Sequence, residues 1–210
     1  MLMGKGHSVC VYRRSNREVK ELSPAKRLLL IKDIVYSTES KKEIKELLRK
    51  QRPELVHVHN TFMMISPSIF EVCHELGIPV LQTLHNYRLL CPAWTLSRDG
   101  EICEDCITGS LWNGVKHGCY RDSRMMTAVV AAMLKFHRFS GTWDDSVDGF
   151  VVLSQFARKK FIEGGLPGQK IHVKPNFVHC DPGEKERPGK FALFVGRLSE
   201  EKGIQTLLSA

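Results

Sequence analysis

The sequence predicts an α/β fold built on a doubly wound parallel sheet, because strand and helix patterns alternate along the chain. Two short apolar runs each end at a His-Asn pair, His59-Asn60 in the first and His85-Asn86 in the second. The segment between them has the features of a helix, with Ser66-Pro67 at its start and Gly77 at its end. A strand, a helix and a strand in this order form a βαβ unit with parallel strands. The apolar run Gly149–Leu153, which passes directly into a helical pattern, repeats the arrangement.

The amino-terminal part supplies a predicted strand, Ser8–Tyr12, and a predicted helix, Ser40–Lys50. The helix is expected because Ser40 and Glu43 have the spacing of a capping box and three apolar residues share one face. A doubly wound domain normally begins one strand and one helix earlier. We therefore expect an incomplete amino terminus that lacks the first strand and the turn after it.

The later elements are predicted from the same periodicity. From Arg88 to Arg124 the periodicity disappears, and this segment is too long for an ordinary strand-to-helix loop. Prolines and charges between Pro175 and Lys190 indicate an interdomain linker. The expected organisation is a domain over residues 1–183, with a cysteine-rich insertion at about 91–124, and the start of a second domain over 184–210. The remaining predicted elements are the strands Glu54–His59, Ile78–Leu84, Lys170–Lys174 and Phe191–Val195 and the helices Met125–Phe139, Gln155–Glu163 and Gly203–Ala210.

Composition limits the possible compartments and partners. The formal net charge of +8 favours anionic partners such as nucleotide phosphates or acidic lipids. The basic residues are dispersed rather than clustered, so nucleic acid is not an expected partner. No secretory signal opens the chain, and the longest apolar run, Met125–Leu134, is too short for a membrane span. An odd number of cysteines without a signal peptide predicts a reducing cytoplasm.

The polar residues that end the two apolar runs are the first candidates for a site. Ligands bind at the carboxyl ends of the strands in open α/β sheets, which is where His59, Asn60, His85 and Asn86 are predicted to lie. Strand alternation places His57 on the sheet face opposite Val56 and Val58. For His57 we expect a structural role.

A second candidate site lies near the end of the chain, where Gly196–Gly203 joins a predicted strand to a predicted helix. Such a turn offers free backbone N–H groups and the positive end of a helix dipole. Arg197 and Lys202 would complete a pocket suited to a pyrophosphate. The alternative is two solvated basic residues on a loop, since no established phosphate-binding signature is present.

Four segments resemble one known family. Phe194–Gly203 is similar to the opening of the carboxyl-terminal domain in family 4 glycosyltransferases, which are retaining enzymes of the GT-B fold. His85–Pro92, Leu153–Arg158 and Lys174–Asn176 resemble the same family. The resemblance implies a transferase with two Rossmann-like domains that close over a nucleoside-diphosphate sugar.

The resemblance also implies roles for individual residues. Arg197 and Lys202, with Gly196, would hold the donor diphosphate and stabilise the leaving nucleotide, so no cofactor would be required for catalysis. His85 would lie near the transferred sugar as a hydrogen-bond donor or proton carrier. Ser154 could contact ligand at the cleft edge or only cap its helix. The residues expected to line the acceptor side of the cleft or its hinge are His59, Asn60, Asn86, Ser154 and Asn176.

The expected function is transfer of a sugar from a nucleoside diphosphate to a glycan or lipid-linked acceptor, as in bacterial cell-surface polysaccharide synthesis. The expected location is the cytoplasm, with possible contact at the inner face of the plasma membrane through Met125–Leu134. The paired glutamates typical of the family are not in the sequence, so we expect this chain alone to be inactive. The alternatives are another GT-B enzyme, such as a sugar-nucleotide epimerase, and a non-catalytic zinc-binding module.

Four cysteines form the last candidate site, because the pair Cys103 and Cys106 is flanked by Cys91 and Cys119. Four thiolates can hold one tetrahedral structural Zn²⁺, and His117 could replace one of them. Reduced thiols in an irregular insertion are the alternative, and disulfides are a third. Three aromatic side chains nearby could cover the acceptor site or contact a partner: Trp94, Trp112 and Tyr120.

Overall fold

A computed structural model of the chain describes residues 2–15, 31–178, 183, 189–191, 193–196, 198 and 202–210. The chain divides into two compact units, Met1–Asn176 and Phe177–Ala210. The predicted domain boundary after residue 183 borders positions outside the described ranges and stays a prediction.

The first unit is built on a four-stranded parallel sheet, which confirms the predicted α/β fold. Its strands are adjacent in the sheet in the same order as in the sequence. Neighbouring strands stay in register, with Val58 opposite Gln82 and Leu84 opposite Val152. All four carboxyl ends therefore meet at one edge of the sheet. The strands are β1 (Val56–Val58), β2 (Val80–Leu84), β5 (Gly149–Val152) and β6 (Ile171–Val173).

Helix α1, Thr38–Gln51, begins earlier than the sequence predicted. The predicted cap, Ser40, lies inside the helix, and the Ser37 side chain accepts from the Ser40 backbone N–H instead. Two serines three residues apart can each serve as a cap. Here the Ser40 side chain is buried and its hydroxyl donates to the Met64 carbonyl at 3.1 Å. Ser37 therefore serves as the cap.

Helix α2, Ser68–Glu75, connects β1 to β2. Ser66 accepts from the backbone N–H of Ser68 at 3.3 Å, close to its predicted capping role. Gly77 has φ +65°, and the following N–H, that of Ile78, bonds back to the Cys73 carbonyl at 2.9 Å. This is the usual way in which a left-handed glycine ends a helix and turns the chain into a strand.

Two longer helices complete this unit and match the predicted ranges. Helix α5, Arg124–Phe139, is capped by Ser123, and helix α7, Gln155–Glu163, is capped by Ser154. Within Met125–Leu134 the only exposed large apolar side chain is Met125, because the apolar face of α5 packs into the core. No helix in the described part of the chain is both long and apolar enough to cross a bilayer. A short helix, α6 (Thr142–Asp145), leads from α5 to β5.

The cysteine-rich insertion is compact rather than an extended loop. It contains a hairpin of β3 (Ser97–Arg98) and β4 (Glu101–Ile102), followed by two short helices, α3 (Asp105–Thr108) and α4 (Trp112–His117). An ion pair of 2.7 Å from Lys160 to Glu104 ties the insertion to α7. The insertion is therefore fixed to the same unit that carries the strand ends.

The two faces of the parallel sheet differ in burial. One face carries Val58, Val80 and Phe150, which are buried in the main core. On the other face His57 and His172 are exposed and Leu81 and Val151 are half-buried. The strand order explains the difference, because right-handed crossovers between strands in sequential order place their helices on one face.

Two predicted strands do not appear among the described residues. Residues Ser8–Tyr12 have no strand structure, and neither do the described residues of Phe191–Val195, namely 191 and 193–195. Both were predicted from short apolar runs, but a strand also needs a neighbouring strand to pair with. The predicted last helix is confirmed as α8, Ile204–Ser209.

Candidate active site

His59 and His85 meet at the carboxyl edge of the sheet. Each follows the last residue of a parallel strand by one position, and β1 and β2 are neighbours. The Nδ1 atom of His59 lies 2.9 Å from the Nε2 atom of His85, and the two rings are stacked with centroids 5.2 Å apart. Both side chains are exposed at the edge and so can be reached by a ligand.

The hydrogen bond between the two rings fixes how protons are distributed. One nitrogen must donate and the other must accept, so a single proton lies between Nδ1 of His59 and Nε2 of His85. When His59 donates, a neutral His85 carries its own hydrogen on Nδ1 and can donate to a ligand. When His85 donates, its Nδ1 has a free lone pair and can accept a proton. The pair can therefore serve either as a hydrogen-bond donor or as a base.

The surroundings keep His85 neutral. Partial loss of solvent around the ring is the first cause that lowers the pKa of His85 from its ordinary value, and the charge of His59 is the second. Two imidazolium rings at this distance would repel each other and would lose the hydrogen bond between them. At neutral pH the pair consequently retains an acceptor nitrogen.

His57 belongs to the same row of side chains, although we expected a structural role for it. Its Nε2 atom is hydrogen-bonded to the Thr83 hydroxyl at 2.8 Å, and its ring centroid lies 4.4 Å from that of His59. Burial first, and then the charges of His59, His85 and Lys174, lower the pKa of His57. The signal was present in the sequence, because alternation puts positions 57 and 59 on one face. Thr83 and His85 share a face for the same reason.

The two asparagines that follow the histidines make matching turns. The side-chain oxygen of Asn60 accepts from the Phe62 N–H, and that of Asn86 accepts from the Arg88 N–H, each at 3.0 Å. Such turns let an asparagine end a strand by bonding the backbone two residues later. Both asparagines are exposed at the edge where the histidines lie.

The loop after β2 is held by Arg88. Its guanidinium carbon lies 4.3 Å from the ring centroid of Phe62, 4.6 Å from that of Trp94 and 4.9 Å from that of Tyr120. It also donates to the Pro92 carbonyl. Burial lowers the pKa of Arg88 to about 10, so the side chain stays charged at neutral pH. This cluster joins the segment after His85 to the insertion, and the sequence reasoning did not find it.

Ser154 and Asn176 occupy different positions in the unit. Ser154 accepts from the Ala157 N–H at 3.1 Å and so caps α7, just beyond the carboxyl end of β5. Because Leu84 is opposite Val152, Ser154 emerges at the same edge as His85. Asn176 is exposed and is the last residue of the first unit.

The predicted phosphate-binding residues belong to the second unit. Gly196 and Lys202 are described and exposed, whereas Arg197 lies outside the described residues. Lys202 lies two residues before the first turn of α8. The role of these three residues in holding a diphosphate stays a prediction.

The four candidate cysteines converge on one cavity of about 10 Å³, which all four side chains line. Cys91 and Cys106 are buried, and Cys103 and Cys119 are half-buried. All are free thiols. Within the described ranges, no group of three or more His, Cys, Asp or Glu side chains is placed so that it could hold a metal ion. His117 is exposed and does not line this cavity.

Comparison with known proteins identifies the family. The family model described as Glycosyltransferase Family 4 matches residues 1–182, which cover most of the chain and all of the first unit. No curated protein and no solved structure matched in the corresponding comparisons. The parallel sheet, with its polar carboxyl edge, agrees with a Rossmann-like amino-terminal domain of the GT-B fold. The chain therefore belongs to glycosyltransferase family 4.

Proposed function

We propose that this protein transfers a sugar, with retention, from a nucleoside diphosphate to a glycan or lipid-linked acceptor in bacterial cell-surface polysaccharide synthesis. The observation that carries the proposal is the hydrogen-bonded pair of His59 and His85 at the carboxyl edge of a family 4 domain. Ligands of open α/β sheets bind at this edge. Family membership supports a transferase in general, and the histidine pair supports a proton-handling group in its cleft.

In the proposed reaction the bond between the anomeric carbon and the diphosphate oxygen breaks, and the nucleoside diphosphate leaves with the electron pair. An acceptor hydroxyl forms the new bond on the same face of the sugar and loses its proton. His85 would act beside the transferred sugar as hydrogen-bond donor or proton carrier, with His59 fixing its tautomer. Asn60 and Asn86 would line the acceptor side, with Ser154 at the cleft edge and Asn176 at the hinge.

The donor diphosphate would be held by Arg197 and Lys202 with the backbone at Gly196. Two cations at this position would stabilise the charge that develops on the leaving group, without a bound metal cofactor. A guanidinium can hold two phosphate oxygens at once, whereas an ammonium acts as a point charge. Arg197→Lys is therefore expected to weaken donor binding, although it preserves the charge.

We also propose that the protein works in the cytoplasm and contacts the inner face of the plasma membrane through its positive charge. The net charge of +8 supports this contact. Among the large apolar residues of Met125–Leu134 only Met125 is exposed, so this segment contributes little to the contact. Full-length protein should bind vesicles with acidic lipids at low salt and dissociate at high salt. Equal binding to neutral vesicles would contradict an electrostatic contact.

The proposed function is tested on the full-length protein in two steps. First, thermal shift with a panel of nucleoside-diphosphate sugars should identify a donor, since a ligand that binds only the folded state raises the melting temperature. Second, NMR of the product made with that donor should show a new glycosidic bond with the anomeric configuration of the donor. An inverted product, an epimerised donor or the absence of any stabilising donor would overturn the proposal.

A variant links the reaction to the histidine pair. His85→Gln keeps a hydrogen-bonding group near the Nε2 position but cannot carry a proton, so turnover should fall by about 10²-fold or more. His74→Gln is the matched control, because His74 is exposed on α2 away from the strand ends. Equal turnover of both variants would remove His85 from the mechanism.

A further inference from the structure

The insertion between β2 and α5 brings four distant cysteines to one place. Cys91 lies in the turn after β2, Cys103 directly follows the hairpin, Cys106 lies in α3, and Cys119 follows α4. Cysteines from four separate places in the insertion thus line one cavity. Cysteines that are buried by chance need not lie in one place, whereas the four ligands of a tetrahedral metal site must do so.

We propose that Cys91, Cys103, Cys106 and Cys119 bind one structural Zn²⁺ ion. Binding forms four zinc–sulfur bonds of about 2.3 Å and releases the thiol protons to solvent, with no change of oxidation state. The proposal does not depend on the sugar-transfer function, because the cavity lies within the insertion.

The small size of the cavity favours a single ion over a cluster. Its volume of about 10 Å³ is close to that of one water-sized sphere. An iron–sulfur cluster brings several iron and sulfide atoms and would need a much larger space. One ion surrounded by four sulfurs fits the available volume.

The backbone around the cavity holds the cysteines at short range. The Cys103 N–H donates to the Leu96 carbonyl at 2.9 Å, and the Cys119 N–H donates to the Gly114 carbonyl at 3.1 Å. Gly114 lies against the site, since a Cβ atom there would stand 3.4 Å from the Cys106 sulfur. No three of the sulfurs are placed to hold an ion as the structure stands, so binding has to draw them together. Rotation about the Cα–Cβ bonds of the half-buried Cys103 and Cys119 would provide part of this movement.

The insertion has little hydrophobic core of its own. Its own small hydrophobic cluster has three buried members, Cys91, Ala93 and Leu96. Its regular elements are strands of two residues and helices of four and six. Segments with so small a core are usually stabilised by a disulfide or a metal. All four thiols are free here, so a metal would add stability that a disulfide does not supply.

The test measures zinc in the full-length protein after expression in zinc-supplemented medium and removal of unbound metal. Wild-type protein should carry about one zinc per chain, and the double variant Cys103→Ser, Cys106→Ser should carry less than about 0.2. Cys10→Ser is the matched control, because Cys10 is exposed and does not line the cavity, and it should keep the wild-type stoichiometry. Zinc retained equally by the double variant would overturn the proposal.

A spectroscopic measurement on the wild type keeps the test valid if the double variant does not fold. X-ray absorption at the zinc edge should show four sulfur ligands at about 2.3 Å. Nitrogen or oxygen ligands in their place, iron instead of zinc, or no zinc at all would contradict the site. Mass spectrometry under non-reducing conditions gives a further check. Disulfide bonds mapped to these cysteines, with the matching loss of hydrogen mass, would contradict the site as well.

Discussion

His59 and His85 are hydrogen-bonded across the carboxyl ends of two neighbouring parallel strands, with Nδ1 and Nε2 2.9 Å apart. The pair exists because β1 and β2 run parallel in register and each strand ends one residue before its histidine. Because only one proton can lie between the two facing nitrogens, the bond survives while at least one ring is neutral and is lost only if both rings are protonated. The predictions about the site start from this relationship.

The first prediction concerns the pKa of His85 when its partner is removed. In His59→Asn the nearby charge is lost, so the pKa of His85 should rise, while burial still keeps it below the ordinary value of about 6.5. NMR titration of the histidine ring protons measures this directly, with the His85 signal assigned by its loss in His85→Gln. In the control His74→Gln the His85 titration should stay as in wild type. A pKa of His85 that is lower in His59→Asn than in wild type would contradict the effect of the His59 charge on His85.

The second prediction concerns Arg88, which is packed among three aromatic rings. Arg88→Lys keeps the charge but loses the flat contact with the rings, so the free energy of unfolding should fall by about 1–2 kcal/mol. Arg121→Lys is a matched control, since Arg121 is exposed and lies against Tyr120 alone, with its guanidinium carbon 5.3 Å from the ring centroid. Chemical denaturation of both variants gives the comparison. Equal losses would show that the packing around Arg88 adds no specific stability.

The third prediction concerns His137, which is completely buried in α5. Its Nε2 atom donates to the Val35 carbonyl at 2.8 Å, and its Nδ1 atom is 2.9 Å from the Thr142 hydroxyl. Burial lowers the pKa of His137, outweighing the opposite effects of the Val35 carbonyl and Glu71. Below a pH of about 6.5 the unfolded chain therefore binds a proton that the folded chain does not, and stability falls as the pH falls.

His137→Gln tests this dependence, because glutamine can still donate to the Val35 carbonyl but does not titrate. The variant should be less stable than wild type at pH 8, and its stability should decrease less between pH 8 and pH 5. Urea denaturation at several pH values measures both effects. Parallel curves for the variant and wild type would exclude His137 as a source of the acid sensitivity.

The fourth prediction concerns Gln82, which is 5% exposed and whose side-chain oxygen has no hydrogen-bond partner among the described residues. Gln82→Met keeps the shape and removes the unpaired oxygen, so stability should stay the same or rise by about 1 kcal/mol. Thr127→Val is the contrasting control. The Thr127 hydroxyl is buried, donates to the Ser123 carbonyl at 2.7 Å and accepts from the Tyr120 N–H, so its loss should cost about 1–3 kcal/mol. A comparable loss in Gln82→Met would contradict the prediction.

Local patterns were enough to predict the sheet and its polar edge. An apolar run that stops at a polar pair marks the end of a buried strand, and β1 and β2 both end in this way. The alternation of residues also indicated on which face His57 lies. We expected a structural role for His57 because we compared it only with Val56 and Val58. The pair Cys103 and Cys106, with Cys91 and Cys119 on either side, suggested a shared site as one of three alternatives, and all four cysteines line one cavity.

Features that depend on distant partners could not be predicted. The cluster around Arg88 combines Phe62, Trp94 and Tyr120 from three separate segments, and no local spacing indicates that they meet. The start of α1 was misplaced because the buried contact of Ser40 with the Met64 carbonyl is a tertiary feature. Ser8–Tyr12 has the alternation of a strand, but the chain gives no sign of whether a partner strand is present.

The measurement that tests the central claim most directly is a double-mutant cycle on sugar transfer by the full-length protein. His59→Asn, His85→Gln and the double variant are compared with wild type by kcat/KM with the identified donor and acceptor. If the pair acts as one unit, His85→Gln should lose about 10²-fold or more, and adding His59→Asn should cost little beyond that. If the two losses multiply as for independent residues, or if His85→Gln retains wild-type kcat/KM, the histidine pair is not the catalytic unit.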